Sequence, residues 1–211
     1  MGNWSLVGAI IYWAFTQSYS FLLAGRLGLS AVADVNAIRL MLMPAILLTV
    51  GVMSLLGPTA ATWHAEAGLA LLLRRLVGFF VGIGLLDLIY LAALWACRDW
   101  LLGTVLRKHV SQADELLTLW TLVAIIALAR EILQVALLVL GKAKAMAKLV
   151  ALSAIAALLV SWFGVAWWGA PAVLIGTVVG ELVNLAGLGI LLRKEYREQS
   201  APIEGPSTVP T

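Results

Sequence analysis

The sequence predicts an all-α integral membrane protein, a bundle of six transmembrane helices. Hydrophobic residues make up 63% of its 211 residues, whereas ordinary globular proteins contain about 45–50%. Charged residues make up only 12%, which is half of the usual share of about 25%. Because so few charges cannot cover the surface of a soluble domain, most of the apolar side chains are expected to face lipid.

Six continuous apolar stretches have the length of about 20 residues that a membrane-spanning helix needs. They do not alternate at a period of two residues, as the strands of a membrane barrel do. The predicted helices A to F cover, in chain order, residues 4–24, 35–56, 76–96, 116–140, 149–168 and 172–192. Together they form one predicted domain, residues 1–196.

Residues that favour helix ends support these boundaries. Pro58 follows a glycine and is expected to stop helix B, because proline cannot continue a helix. Ser111 with Asp114 resembles a capping box before helix D. Gly141 is expected to end helix D, and Pro171 suits the first position of helix F.

Two segments outside the spans have a different composition. Residues 59–75 mix aromatic and charged side chains with a leucine run, and we expect an interfacial helix there. Residues 197–211 are rich in proline, serine and threonine, and this composition predicts a disordered cytoplasmic tail.

The basic residues predict the orientation. One side of the predicted bundle carries Arg74, Arg75, Lys142, Lys144, Lys148, Arg193, Lys194 and Arg197, and the other carries Arg26, Arg98, Arg107 and Lys108. Since positive residues concentrate on the cytoplasmic side, this excess of eight over four predicts that both termini are cytoplasmic. The corresponding location is the inner (cytoplasmic) membrane.

Ionisable residues inside the spans are the strongest pointers to function. Asp87 and Glu181 fall near the middle of helices C and F, Arg130 and Glu131 lie a few ångströms to the cytoplasmic side of the centre of helix D, and Arg39 lies about 10 Å to the outer side in helix B. Each costs at least about 2.5–3.5 kcal/mol to insert, so such residues usually line polar paths. The structural alternative is a lock in which Arg130 pairs with Glu181 or Asp87, and Arg39 either extends outward or pairs with Asp34.

Other polar residues share faces with these charges. Tyr12 and Thr16 lie on one face of helix A with Gln17 beside them, Gln134 lies one turn after Arg130, and Asn184 follows Glu181. These side chains are suited either to interhelical hydrogen bonds or to a cavity wall. Helices C and F also carry glycines at a spacing of four residues, which favours close helix packing.

Several function classes have no support in the residues. The single cysteine and two distant histidines exclude a zinc cluster, and no nucleotide-binding or hydrolase motif is present. We therefore predict no enzyme activity, no metal or other cofactor, and no nucleic-acid partner.

Several runs of residues resemble a known transporter family. They are YWAFTQSYSFLLAGRLG at 12–28, VADVNAIRLMLMP at 32–44, GPTAA at 57–61, EAG at 66–68, the arginine pair at 74–75 and GTVVGE at 176–181. The family is the O-antigen and exopolysaccharide branch of the multidrug/oligosaccharidyl-lipid/polysaccharide exporter superfamily. The chain resembles one six-helix lobe of these two-lobe flippases, and its tail resembles that of the C-terminal lobe.

The resemblance implies alternating access and a lipid-linked oligosaccharide as cargo, with the bilayer and a second six-helix lobe as partners. The cargo headgroup would meet Arg39, Arg130 and Gln134, and sugar would meet Tyr12, Thr16 and Gln17. Asp87, Glu181 and Asn184 would couple transport to protons or cations. Two alternatives stay open: a lobe of a cation-coupled exporter of small molecules, and a membrane subunit that supports glycan assembly without transporting anything itself.

Overall fold

The computed structural model describes residues 2–105, 107, 110 and 112–200, without the side chains of 2–5, 12, 15, 16, 67, 105, 199 and 200. All regular structure in these residues is helical. The first helix, α1, covers Gly2–Leu27 and includes the segment predicted as helix A. It ends at Gly28, whose φ of 87° lies in the left-handed region that glycine adopts without strain.

A long helical stretch, Leu29–Trp100, follows and reverses its direction near Gly68. Thr49 donates a hydrogen bond to Asp87, 38 residues further on, at 3.2 Å, although a straight helix would separate them by about 57 Å. The Tyr90 hydroxyl likewise donates to the carbonyl of Met41. The stretch is therefore an antiparallel hairpin of two arms, α2 (Leu29–Glu66) and α3 (Gly68–Thr104).

The turn of this hairpin differs from the sequence prediction. Pro58 was expected to stop helix B, but α2 continues through it to Glu66. Inside a helix Pro58 removes one backbone hydrogen bond and crowds the carbonyl of Ser54. It also crowds the preceding residue, but that residue is Gly57, which has no Cβ, so part of the clash is absent. The reversal instead occurs at Gly68, whose φ is 72°. Residues 59–75 are thus the two ends of the hairpin arms and not a separate interfacial helix.

The last three helices are α4 (Ala113–Val139), α5 (Ala143–Trp168) and α6 (Pro171–Ser200). Gly141 and Pro171 stand at helix boundaries as predicted, whereas α5 begins six residues earlier than helix E, which was expected from residue 149. Helix α6 continues to Ser200, so residues 197–200, expected in the disordered tail, are helical. Residues 201–211 and the proposed cap Ser111 lie outside the described residues.

Five of the described helices, α2 to α6, are long and apolar enough to cross a membrane. Their hydropathy and their many exposed leucine, valine and phenylalanine side chains fit a multi-pass membrane protein. That α1 is a sixth span remains a prediction.

Glycine allows a close helix contact between α5 and α6. A Cβ built on Gly176 would lie 2.6 Å from the carbonyl oxygen of Ala157, so no larger residue fits without a backbone shift. In contrast, a Cβ at Gly78 or Gly82 of α3 would meet no atom within 4 Å. Gly176 of predicted helix F, now α6, therefore serves packing inside the chain. Gly78 and Gly82 of predicted helix C, now α3, do not pack against another described helix.

We predict that Gly68→Ala destabilises the protein by about 1–2 kcal/mol, because it forces a side chain into the left-handed conformation. Thermal unfolding in detergent would show this as a lower midpoint. Gly51→Ala in α2 is the matched control, since its Cβ would meet no atom within 4 Å and alanine is the better helix former. An unchanged midpoint for Gly68→Ala would contradict the placement of the turn.

Candidate functional site

A cavity of about 270 Å³ lies at the centre of the bundle, and all six helices contribute to its wall. The polar and charged residues that line it are Ser18, Tyr19, Arg39, Thr49, Asp87, Trp120, Arg130, Glu131, Ser161, Thr177 and Glu181. Four of the residues predicted from their depth in the membrane, namely Arg39, Asp87, Arg130 and Glu181, thus meet in one place.

Arg130 is held between two carboxylates in the wall of this cavity. Its Nε donates to Oε2 of Glu181 at 2.6 Å, and its Nη2 lies 2.9 Å from Oε1 of Glu131. Arg130 and Glu181 are only 2% and 3% exposed. The lock between helices α4 and α6 that the sequence offered as one alternative is therefore present, with Glu181 and not Asp87 as the ion-pair partner of Arg130.

Asp87 has a less complete environment. One of its carboxylate oxygens, Oδ2, accepts a hydrogen bond from Thr49 at 3.2 Å. The other, Oδ1, is buried and has no hydrogen-bond partner among the described residues. A buried carboxylate oxygen without a donor is costly, so this atom is suited to a proton or to a group that binds in the cavity.

Neutral side chains hold the guanidinium group of Arg39 in position. Its Nη1 donates to the hydroxyl of Tyr19 at 3.1 Å, and the same hydroxyl donates to Oδ1 of Asn36 at 2.8 Å. The guanidinium carbon lies 5.8 Å from the ring centre of Trp120, within cation–π range. Among the described residues no carboxylate lies within ion-pair distance of Arg39, so the pairing with Asp34 that the sequence offered is not seen.

The charges of the cavity are mixed. Two guanidinium groups, of Arg39 and Arg130, face three carboxyl groups, of Asp87, Glu131 and Glu181. Because Glu131 and Glu181 both contact Arg130, the charges with most freedom to act on a ligand are Arg39 and Asp87. The wall therefore offers one site for an anionic group and one for a cation or a proton.

Three of the other predicted residues, Gln134, Gln17 and Asn184, are not among the described residues that line this cavity. Gln134 lines a second cavity, between α1, α4 and α5. Gln17 is half-buried and Asn184 is buried, and neither is among the described residues that line the central cavity. The side chains of Tyr12 and Thr16 lie outside the described ones.

Sequence reasoning did not select several residues that complete the site. Asn36 and Thr49 are polar residues inside the apolar helix B, and that contrast was the available signal. Trp120 lies at neither end of its helix, so it did not fit the interfacial pattern of the other tryptophans.

No protein-family model, curated protein or solved structure matches this chain. The flippase resemblance therefore stays a prediction that depends on the residues quoted above. What the chain does has to be argued from the central cavity itself.

We predict that Arg130→Ala destabilises the protein by about 3–5 kcal/mol, because it leaves the buried Glu181 carboxylate without its partner. Glu181→Leu should destabilise the protein less, because Arg130 keeps its contact with Glu131, and the double variant Arg130→Leu with Glu181→Leu should cost less than the sum of the single changes. Unfolding measurements in detergent on this cycle, with the exposed Arg193→Ala as a control, would check this. Additive losses would show that the pair does not stabilise the bundle.

Proposed function

We propose that this chain is one lobe of an alternating-access transporter in the cytoplasmic membrane, with a lipid-linked oligosaccharide as its cargo. The observation that carries the proposal is Arg39, an arginine without an ion-pair partner among the described residues, in the wall of an intramembrane cavity. Such a residue is expensive to insert and is usually kept for function.

The chemistry of Arg39 suits a phosphate group. A guanidinium presents several N–H donors in one plane and binds phosphate oxygens through paired hydrogen bonds. Among the described residues, Arg39 makes one hydrogen bond, from Nη1 to Tyr19, and the ring of Trp120 lies on one side of the guanidinium group. The pyrophosphate of a lipid-linked sugar is the ligand that this arrangement favours.

The size of the cavity supports the need for a second lobe. Its volume of about 270 Å³ is below the range of about 300–1,000 Å³ of pockets for drug-sized molecules. It can hold part of a headgroup but no oligosaccharide. We infer that a second six-helix lobe, in the same polypeptide or in a partner, encloses the rest of the cargo.

We predict that Arg39→Ala lowers surface polysaccharide strongly in cells that depend on this transporter, and that Arg39→Lys restores it partly, because lysine keeps the charge but not the planar donors. The measurements are surface polysaccharide and accumulated lipid-linked precursor, at matched protein levels. Arg74→Ala, at an exposed position near the hairpin turn, is the control. Normal polysaccharide in Arg39→Ala would contradict the headgroup role and favour a non-transporting subunit.

A second candidate, a cation-coupled exporter of small molecules, is favoured by Asp87 and its unpartnered Oδ1. A carboxylate at this depth attracts cationic amphiphiles as well as coupling ions. In this case the cargo would be positively charged and would not need Arg39.

For this second candidate we predict that expression raises the resistance of cells to lipophilic cationic drugs, and that Asp87→Asn removes the effect. The substitution keeps the size of the side chain and an acceptor for Thr49, so the fold should persist. Minimum inhibitory concentrations are the measurement, with Asp99→Asn at an exposed carboxylate as the control. Unchanged resistance on expression would exclude this cargo class.

A further inference from the structure

Two cavities of the bundle meet at one pair of residues. The second cavity, of about 260 Å³, lies between α1, α4 and α5 and is lined by Gln134, among others. Arg130 and Glu131 line both this cavity and the central one. Among the described residues, these two side chains are therefore the ones that border both cavities.

The two carboxylates that contact Arg130, those of Glu131 and Glu181, are not equivalent. The side chain of Glu181 is 4% exposed and forms the shorter contact, 2.6 Å, whereas that of Glu131 is 30% exposed and lies 2.9 Å away. If Glu131 takes up a proton, Glu181 still neutralises Arg130 and no buried charge is left alone. Glu181 is thus suited to be the permanent counter-ion, and Glu131 to gain and lose a proton.

A proton acceptor is present on the other side of the central cavity. Oδ1 of Asp87 is buried without a hydrogen-bond partner, Asp87 itself is 8% exposed, and it lines the same cavity as Glu131. The cavity has room for several water molecules, each of about 30 Å³. Its hydroxyl groups, of Thr49, Ser161 and Thr177, can hold such waters between the two carboxyl groups.

We propose that this lobe contains a proton path that runs from the Gln134 cavity through Glu131 to Asp87. A proton from water in the Gln134 cavity adds to a carboxylate oxygen of Glu131. The resulting carboxylic acid passes a proton to water in the central cavity, that water gives one to Oδ1 of Asp87, and Glu131 regains its negative charge. Asp87 then releases its proton to water that leaves the central cavity on the other side of the lobe, so both carboxylates are restored and one proton has moved.

Besides Asp87 and Glu131, the charged side chains that line this path are Arg39 of α2, Arg130 of α4 and Glu181 of α6. The described lining residues of α1 and α5 are uncharged in both cavities. The path supplies a coupling ion for the proposed transporter and goes beyond it, because it needs neither a particular cargo nor a second lobe.

The test uses the full chain in liposomes that contain a pH-sensitive dye, with a potassium gradient and valinomycin to draw protons inward. We expect proton flux above that of protein-free vesicles. Glu131→Gln, which keeps an acceptor for Arg130, and Asp87→Asn should both reduce the flux to the protein-free level. Glu115→Gln, at an exposed carboxylate in the first turn of α4, should leave it unchanged.

Thermal unfolding of each variant shows whether it is folded, so that a lost flux can be assigned to the lost carboxyl group. Wild-type flux in folded Glu131→Gln, or no flux with the wild-type chain, would overturn the proposal. A flux that disappears when sodium is replaced by choline would also overturn it, because the path would then carry sodium. The cell assay for polysaccharide is independent, so either proposal can fail without the other.

Discussion

The buried ion pair between Arg130 and Glu181 is the interaction on which the other features of the bundle depend. A guanidinium that is 2% exposed requires a nearby counter-charge, because an uncompensated buried charge costs several kcal/mol. Glu181 provides that charge from α6 and so fixes the facing sides of α4 and α6. The contact of α5 with Gly176 and the packing of the hairpin on α4 then complete the walls around the pair.

The same pair limits what the cavity can do. Because Arg130 is held by Glu181 and Glu131, its charge is largely used inside the protein. The charged groups of the wall that Arg130 does not contact are then Arg39 and Asp87, one of each sign. Under the proposed function, the first would meet an anionic headgroup and the second would bind a coupling ion.

The depth of charged residues in apolar stretches was a good guide to the site, since it selected Arg39, Asp87, Arg130 and Glu181 before their contacts were known. The position of the hairpin turn was not predictable in the same way. Pro58 is the stronger helix breaker in general, but Gly57, which has no Cβ, relieves part of its steric clash, and α2 continues through it. The left-handed turn at Gly68 depends on how α2 and α3 pack together.

The sequence by itself determined that the chain is helical, apolar and suited to a membrane, because composition and span length are properties of local segments. It also determined which residues are too polar for lipid. Only the tertiary structure decided how those residues pair, since residues 51 positions apart, such as Arg130 and Glu181, meet only when α4 and α6 pack together. For the same reason, only the folded bundle shows that Glu181 is buried whereas Glu131 faces two cavities.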